Sequence, residues 1–472
     1  MNPKLQYKYV VLTNTTLGAF MAILDGNVVL IALPTIIADL PGTTTFDGIW
    51  ILMGYTLITA TLLLAFGRLS DIFGRVRLYT LGFAVFTVGS ALCSISPNGE
   101  TLVLFRLVQG TGSALLFSNS AAIITDVFPS NERGRALGIN QIAGTIGSVG
   151  GLIAGGVLTG TLGWRSIFWI NIPVGIFATG WAFTQLKETS QPNKGEKLDP
   201  VGNTLFAVGL SVFLLGLTFG ALTGFSPLMV GAMVTGLVML GAFVFVEARI
   251  RFPMMDLSLF RVRQFSTGIL SNLLASVARG AVSLVLVFYF QGALGLDALT
   301  AGVLLVPLAL AFVTFGPLCG YLSDRFGPRV FTTAGMVVLT VALFWLSVFR
   351  FGAPYSELLP PMVLAGAGGG MFVAPNVASI MNATPPARRG IASGTSSTLV
   401  NTGFLLSTGF AFAIMAATVP ITTLQAIFAG RAVAIDPSGI GVFLDSIRKV
   451  FLIMGAVSLF AIVPASITGR RK

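Results

Sequence analysis

Long apolar runs follow one another along the whole chain, each near or above the ~20 residues that cross a bilayer as a helix. They fall at 9–37, 48–67, 78–96, 101–126, 136–160, 166–186, 200–223, 227–247, 266–290, 298–319, 330–350, 357–381, 391–419 and 447–467, with short polar segments between them. Lipid offers no partners for backbone N–H and C=O groups, so segments of this length are predicted to be α-helices that satisfy their own backbone. The pattern predicts an all-α membrane protein of about fourteen spans.

Composition agrees. A hydrophobic content of 54% with only 10% charged residues lies outside the soluble range. The 56 glycines would weaken helices in water but allow close helix packing in lipid. Met1 to Lys8 is short and polar and the first apolar run is too long for a signal h-region, so no cleaved leader is expected. Cys93 and Cys319 sit in apolar segments, and histidine is absent. Neither a disulfide framework nor a metal site is expected, nor any cofactor. Proton chemistry would have to use carboxylates.

The net charge of +11 could suggest a nucleic-acid partner. Its distribution argues against one. With both termini cytoplasmic, 21 of the 28 Lys and Arg fall in inner segments, five fall outside, and two, Arg106 and Arg279, lie within spans. This is the positive-inside bias of a multi-pass plasma-membrane protein.

Two polar motifs recur at nearly one separation. Gly67-Arg-Leu-Ser-Asp-Ile-Phe-Gly74 matches Gly320-Tyr-Leu-Ser-Asp-Arg-Phe-Gly327 at an offset of 253 residues, and Arg133-Gly134-x-Ala136-x-Gly138 matches Arg389-Gly390-x-Ala392-x-Gly394 at an offset of 256. Each first motif follows the second span of its half and each second motif the fourth. Duplication follows, with two six-helix bundles at 1–190 and 262–472 and a two-helix insertion with its linkers at 191–261.

Taken in order, the motifs resemble the major facilitator superfamily, and specifically its fourteen-helix drug:proton antiporter branch. Gly67-x-Leu-Ser-Asp71-x-x-Gly74-Arg75-x-Arg77 is similar to the family's loop signature, and Leu104-Phe-Arg106-Leu-Val-Gln109-Gly110-x-Gly112 to its fourth-helix motif. Leu24-Asp25-Gly-Asn27-Val-Val-x-x-Ala32-Leu33-Pro34 and Trp164-Arg165-Ser-Ile-Phe-Trp-Ile-Asn171-Ile-Pro173-Val-Gly175 resemble segments typical of the branch. Asn27 stands where Thr is usual. The fifth-span antiporter motif fits at Gly138, Gly147, Gly151, Gly155 and Gly156 but carries Leu152 in place of its customary Pro. The resemblance implies two parallel halves with a binding site between them near the bilayer midplane. It also implies a charge relay of Asp71 and Arg75 with an acid at the inner end of the fourth span, where Asp126 stands; Asp324 repeats Asp71 in the second half.

Asp25 is the one acidic residue well inside a span, and an ionisable group at that depth is a functional candidate by default. At 1.5 Å per residue it lies ~25 Å from the inner end of its helix. Arg106 lies ~8–9 Å below the outer end of the fourth span, close enough in depth to pair with it. Burial opposes the charged carboxylate and a neighbouring cation supports it, so a group balanced between the two can exchange a proton. A static bridge between the two residues is the alternative. Asn27, about 200° around the helix from Asp25, cannot share its face directly. Gln109, with Tyr55, Asn119, Asn140 and Gln141, is a candidate for a polar cavity lining or for interhelical bonds. Arg279, ~20 Å into the ninth span, has no acid within any span of its half. It could meet an anionic substrate group, or bond backbone carbonyls and Asn272, seven residues away on the same helix face.

What the resemblance implies is a proton-coupled exporter of small amphipathic organic compounds, working by alternating access. Protons, the organic substrate and the bilayer would be its partners, and a monomer is the expected state. The alternative is export of one endogenous anionic metabolite or lipid-like molecule through Arg279. A membrane enzyme is disfavoured because no nucleophile–base constellation is visible, and a channel because duplicated halves suit alternating access.

Overall fold

The computed structural model describes residues 3–129, 132–188, 199–250, 253–350, 352–385, 388–430 and 437–468. Its helices are α1 (Pro3–Asp39), α2 (Thr45–Phe73), α3 (Arg75–Ser94), α4 (Gly99–Val127), α5 (Arg133–Leu162), α6 (Ser166–Trp169), α7 (Asn171–Gln185), α8 (Pro200–Thr223) and α9 (Pro227–Glu247). They continue as α10 (Arg263–Arg279), α11 (Val282–Val287), α12 (Ala298–Phe326), α13 (Pro328–Leu346), α14 (Tyr355–Asn382), α15 (Arg389–Thr418), α16 (Ile421–Phe428) and α17 (Pro437–Ile467). Among the described residues, fourteen helical stretches are long and apolar enough to cross a membrane. The predicted all-α architecture of fourteen spans is what the chain adopts, and no strand occurs among the described residues.

Three spans depart from the simple pattern. The sixth is built from α6 and α7, with Asn171 opening the second piece. The ninth is built from α10, α11 and a π-helical turn, Phe288–Ala293. The last helix starts at Pro437, well before residue 447. Arg448 and Lys449, at the very start of the predicted span, therefore lie about three turns inside the helix. Arg448 explains the extension: it donates to Asp445 Oδ1 at 3.0 Å and to the Phe349 carbonyl at 2.8 and 3.0 Å, so a charged turn is satisfied inside the helix.

The chain divides into two compact units, Met1–Ala207 with Arg249–Met254, and Val208–Ala248 with Met255–Lys472. In the first, α4 is pressed between α2 and α3. A Cβ at Gly110 would meet the backbone of Tyr55 in α2, and one at Gly112 would meet the backbone of Phe86 in α3. α5 lies along α1 through Gly147 against Phe20 and Leu24, Gly151 against Leu24 and Asn27, and Gly155 against Val28. Gly138, grouped with this row in the motif, faces open space instead. α5 runs unbroken through Leu152, which is buried.

The second unit repeats this packing at the offsets of the loop motifs. Gly366 and Gly368 of α14 meet Leu308 and Leu339, the counterparts of Tyr55 and Phe86. Gly403 of α15 meets Leu273 and Val277 of α10, the counterparts of Phe20 and Leu24. Even the pair Gly151–Asn27 has its counterpart, with the small residues exchanged, in Ser407 against Gly280. Duplication thus reaches from the loops into the helix interfaces. The loop glycine has its own reason: Gly74 and Gly327 sit at φ of +106° and +85° between paired helices, a backbone region open to glycine and strained for other residues.

Candidate functional site

In the first unit the close approach of α4 to α2 and α3 brings the two predicted midspan charges together. Asp25 and Arg106 are 1% and 0% exposed and form an ion pair through Arg106 Nη1 and Asp25 Oδ2. The other carboxylate oxygen accepts from Gln109 Nε2 and from Asn171 Nδ2, both at 2.8 Å. Gln109 is the hub: its Oε1 accepts from Arg106 Nη1 at 2.6 Å, and its Nε2 also donates to Ser90 Oγ at 2.7 Å. Arg106 Nε donates to the Ile51 carbonyl at 3.2 Å, and its guanidinium carbon lies 4.1 Å from the centroid of the Tyr55 ring. Tyr55 is itself fixed by bonds from its hydroxyl to Ser113 Oγ at 2.8 Å and the Ala22 carbonyl at 3.2 Å.

Five helices therefore supply one buried, neutral-overall network. Its local logic is a row on α4, where Arg106 and Gln109 are neighbours at i and i+3 and the following glycines admit the adjoining backbones. Sequence reasoning found Asp25, Arg106, Gln109 and Tyr55 but missed the role of Asn171. The signal was present, an amide in an otherwise apolar segment, yet its 146-residue separation from Asp25 hides the contact.

Asn27 stays outside this network, as the helix angle predicts. Its Nδ2 donates at 2.9 Å to the Ile23 carbonyl of its own helix. Asn119 likewise bonds the Leu115 carbonyl in its own helix, and Asn140 bonds Ser120 Oγ of α4 at 3.2 Å. The side chains of Gln141 and Asp324 lie outside the described residues.

The loop signature folds as a second cluster. Arg75 donates to Asp71 Oδ1 at 2.8 and 3.0 Å and to both oxygens of Asp126 at 2.7 and 2.8 Å, tying α2, α3 and α4 together. One member was not legible in the sequence. Glu188, just past α7, accepts from the backbone N–H groups of Arg75, Val76 and Arg77, which otherwise lack partners because Gly74 offers no capping side chain. Glu188→Ala is expected to destabilise the protein by about 1–2 kcal/mol, the range for loss of a helix cap. Thermal unfolding in detergent reads it, and an unchanged Tm would remove Glu188 from this role. The second unit cannot build the same relay, since Pro328 and Asn382 stand at the places of Arg75 and Asp126.

Arg279 ends α10. Its guanidinium carbon lies 5.1 Å from the Phe312 ring centroid and 4.7 Å from that of Phe404. The bond to Asn272, one of the alternatives for Arg279, does not form: seven residues is a rise of ~10 Å, and Asn272 Nδ2 instead donates to Ser396 Oγ of α15 at 3.0 Å.

Known proteins agree with this architecture. Residues 15–408, and again 268–471, match the profile of the Major Facilitator Superfamily. The riboflavin transporter RibZ of Clostridioides difficile is 33% identical over 406 residues, which is 86% of this chain and 88% of RibZ. Multidrug resistance protein Stp of Mycobacterium tuberculosis is 31% identical over 80% of this chain and 71% of its own. A D-xylose–proton symporter of known structure matches with a TM-score of 0.67 over 97% of each chain at 16% identity, a likeness of fold. These are transporters rather than enzymes, and the chain belongs to the Major Facilitator Superfamily.

Proposed function

We propose that this transporter is a proton-coupled exporter of small amphipathic organic compounds, of the fourteen-helix drug:proton antiporter branch, with Asp25 as its proton-carrying group. One observation carries the reading. Arg106 holds Asp25, but it also holds the Gln109 amide oxygen, the Ile51 carbonyl and the Tyr55 ring face. When the carboxylate takes a proton, the guanidinium keeps these partners and is not stranded in a dry interior. A buried pair built this way can lose its charge on one side without collapse, which an ordinary structural bridge cannot do at small cost.

Coupling then requires that the two access states hold the proton with different affinity. The Asp71–Arg75–Asp126 cluster is the proposed inner gate, stabilising one of those states. In this reading both termini are cytoplasmic, which the positive-inside bias supports, and the protein acts as a monomer in the plasma membrane. The relatives' names support the substrate class: one carries riboflavin in its name and another multidrug resistance.

The test is flux in proteoliposomes with riboflavin and ethidium as probes. Asp25→Asn is expected to reduce transport driven by an imposed pH gradient by about 100-fold or more, while exchange without a gradient stays within about threefold of wild type, because removing an essential proton group acts on the coupled step. Undiminished gradient-driven flux in Asp25→Asn would sink the reading.

A further inference from the structure

Arg106 and Arg279 both lie within spans, the first fully buried and the second partly, and they are held in opposite ways. Arg106 has a carboxylate, an amide and a carbonyl. Arg279 has neither a hydrogen-bond acceptor nor an acid among the described residues, and its Nε is sealed from solvent without a partner. The duplication makes the contrast sharper. At the repeat offsets, Asp25 corresponds to Ala278, Arg106 to Met362 and Gln109 to Ala365, so the second half has lost every polar group of the first network. Arg279 stands at the place of Gly26 and has no forerunner in the first half.

What surrounds Arg279 is built, not vacant. The faces of Phe312 from α12 and Phe404 from α15 flank the guanidinium, and its Cδ lies against Gly369 of α14, where a Cβ would be 3.7 Å away. The helix stops at this residue. α10 ends, Gly280 and Ala281 form a turn, and the freed Ala281 N–H donates to Ser407 Oγ of α15 at 2.9 Å. A π-helical segment follows within the same span. Interrupted helices and π-turns within membrane spans recur at binding sites because they depart from the self-satisfying helix. Two ring faces compensate part of the charge, yet they leave the donor fork unused. Although Nε is sealed, the side chain as a whole is only partly buried, so the outer edge of the fork remains open to an incoming group.

We propose that Arg279 is the substrate-recognition residue of the second half, and that it takes a planar, side-by-side pair of hydrogen-bond acceptors on the transported molecule. A carboxylate offers such a pair in its two oxygens, and a flavin ring in a carbonyl oxygen beside an acceptor ring nitrogen. A guanidinium fork meets two such acceptors side by side, while the flanking phenyl faces favour a planar, aromatic carrier of them. The proposal rests on the reading of the protein as an exporter of organic compounds and specifies which of them bind.

Equilibrium binding to the purified full-length protein in nanodiscs tests it without any proton gradient, so its outcome is separate from that of the Asp25 flux assay. The probes are carboxyfluorescein for a carboxylate, riboflavin for a ring carbonyl beside a ring nitrogen, and ethidium for a cation lacking both. Arg279→Gln is expected to weaken one or both acceptor probes by about tenfold or more, the scale of a charge-assisted hydrogen bond, and to leave ethidium within about twofold. Which probe responds identifies the source of the acceptors, and Arg279→Lys is expected to recover part of the loss. Arg279→Met is expected to keep or raise Tm, because it removes a charge that has no counter-charge among the described residues. The proposal is overturned if wild type binds neither acceptor probe, if Arg279→Gln leaves both affinities unchanged, or if all three probes weaken together with a fall in Tm.

Discussion

Arg106→Ala is expected to destabilise the first half by about 3–5 kcal/mol, the range for stranding one partner of a buried ion pair. The variant leaves a 1% exposed carboxylate with only two amide donors, and it also strips the Ile51 carbonyl and the Gln109 amide oxygen of their guanidinium. Unfolding in detergent measures the loss. The double variant Asp25→Asn with Arg106→Gln is expected to regain most of that stability, since two neutral amides can bond each other and the Gln109 hub. It is not expected to regain gradient-driven transport. This split matters, because a network that served only to hold helices together would recover both or neither. Equal destabilisation in the single and double variants would show that the two charges are not energetically coupled.

A second large effect is expected from one glycine and not from its neighbour. A side chain at Gly151 would run into the Leu24 carbonyl and Asn27 Cβ of α1, on either side of Asp25 in the chain, whereas Gly150 has nothing within 4 Å. Gly151→Ala should destabilise by about 1–3 kcal/mol, as overpacking against rigid backbone does, and Gly151→Leu should prevent the protein from accumulating in the membrane. Gly150→Ala should be neutral or stabilise by about 0.5–1 kcal/mol through helix propensity. Thermal unfolding of the two alanine variants, side by side, decides this. Equal behaviour would mean that α1 and α5 do not meet along this row.

The fourteen spans were legible because apolar length alone dictates them in a bilayer. The Asp25–Arg106 pair was legible too, since the rise per residue converts position into depth and few charges lie deep. The repeat could be read only in its loops. Its extension into the helix interfaces rests on glycines such as Gly110 and Gly366 that look like any others in a chain rich in them. Asn171 and Glu188 were hidden for different reasons. Several lone amides could have reached Asp25, and only the break between α6 and α7 selects Asn171. Glu188 follows a span directly and reads as an ordinary solvated charge until α3 is seen to begin beside it. Arg279 was visible as a cation within a span, but its two phenyl neighbours come from α12 and α15, and no spacing in the sequence announces them.

Proton coupling through this site requires that Asp25 take up a proton while the protein remains folded. Infrared difference spectra of the purified transporter in lipid, recorded across a pH titration, report this from the carbonyl stretch of a protonated carboxylic acid. Wild type is predicted to show such a band that rises and falls reversibly with pH and is missing from Asp25→Asn. If no band separates the two proteins at any pH at which both stay folded, Asp25 is a fixed charge and the proton must travel by another group.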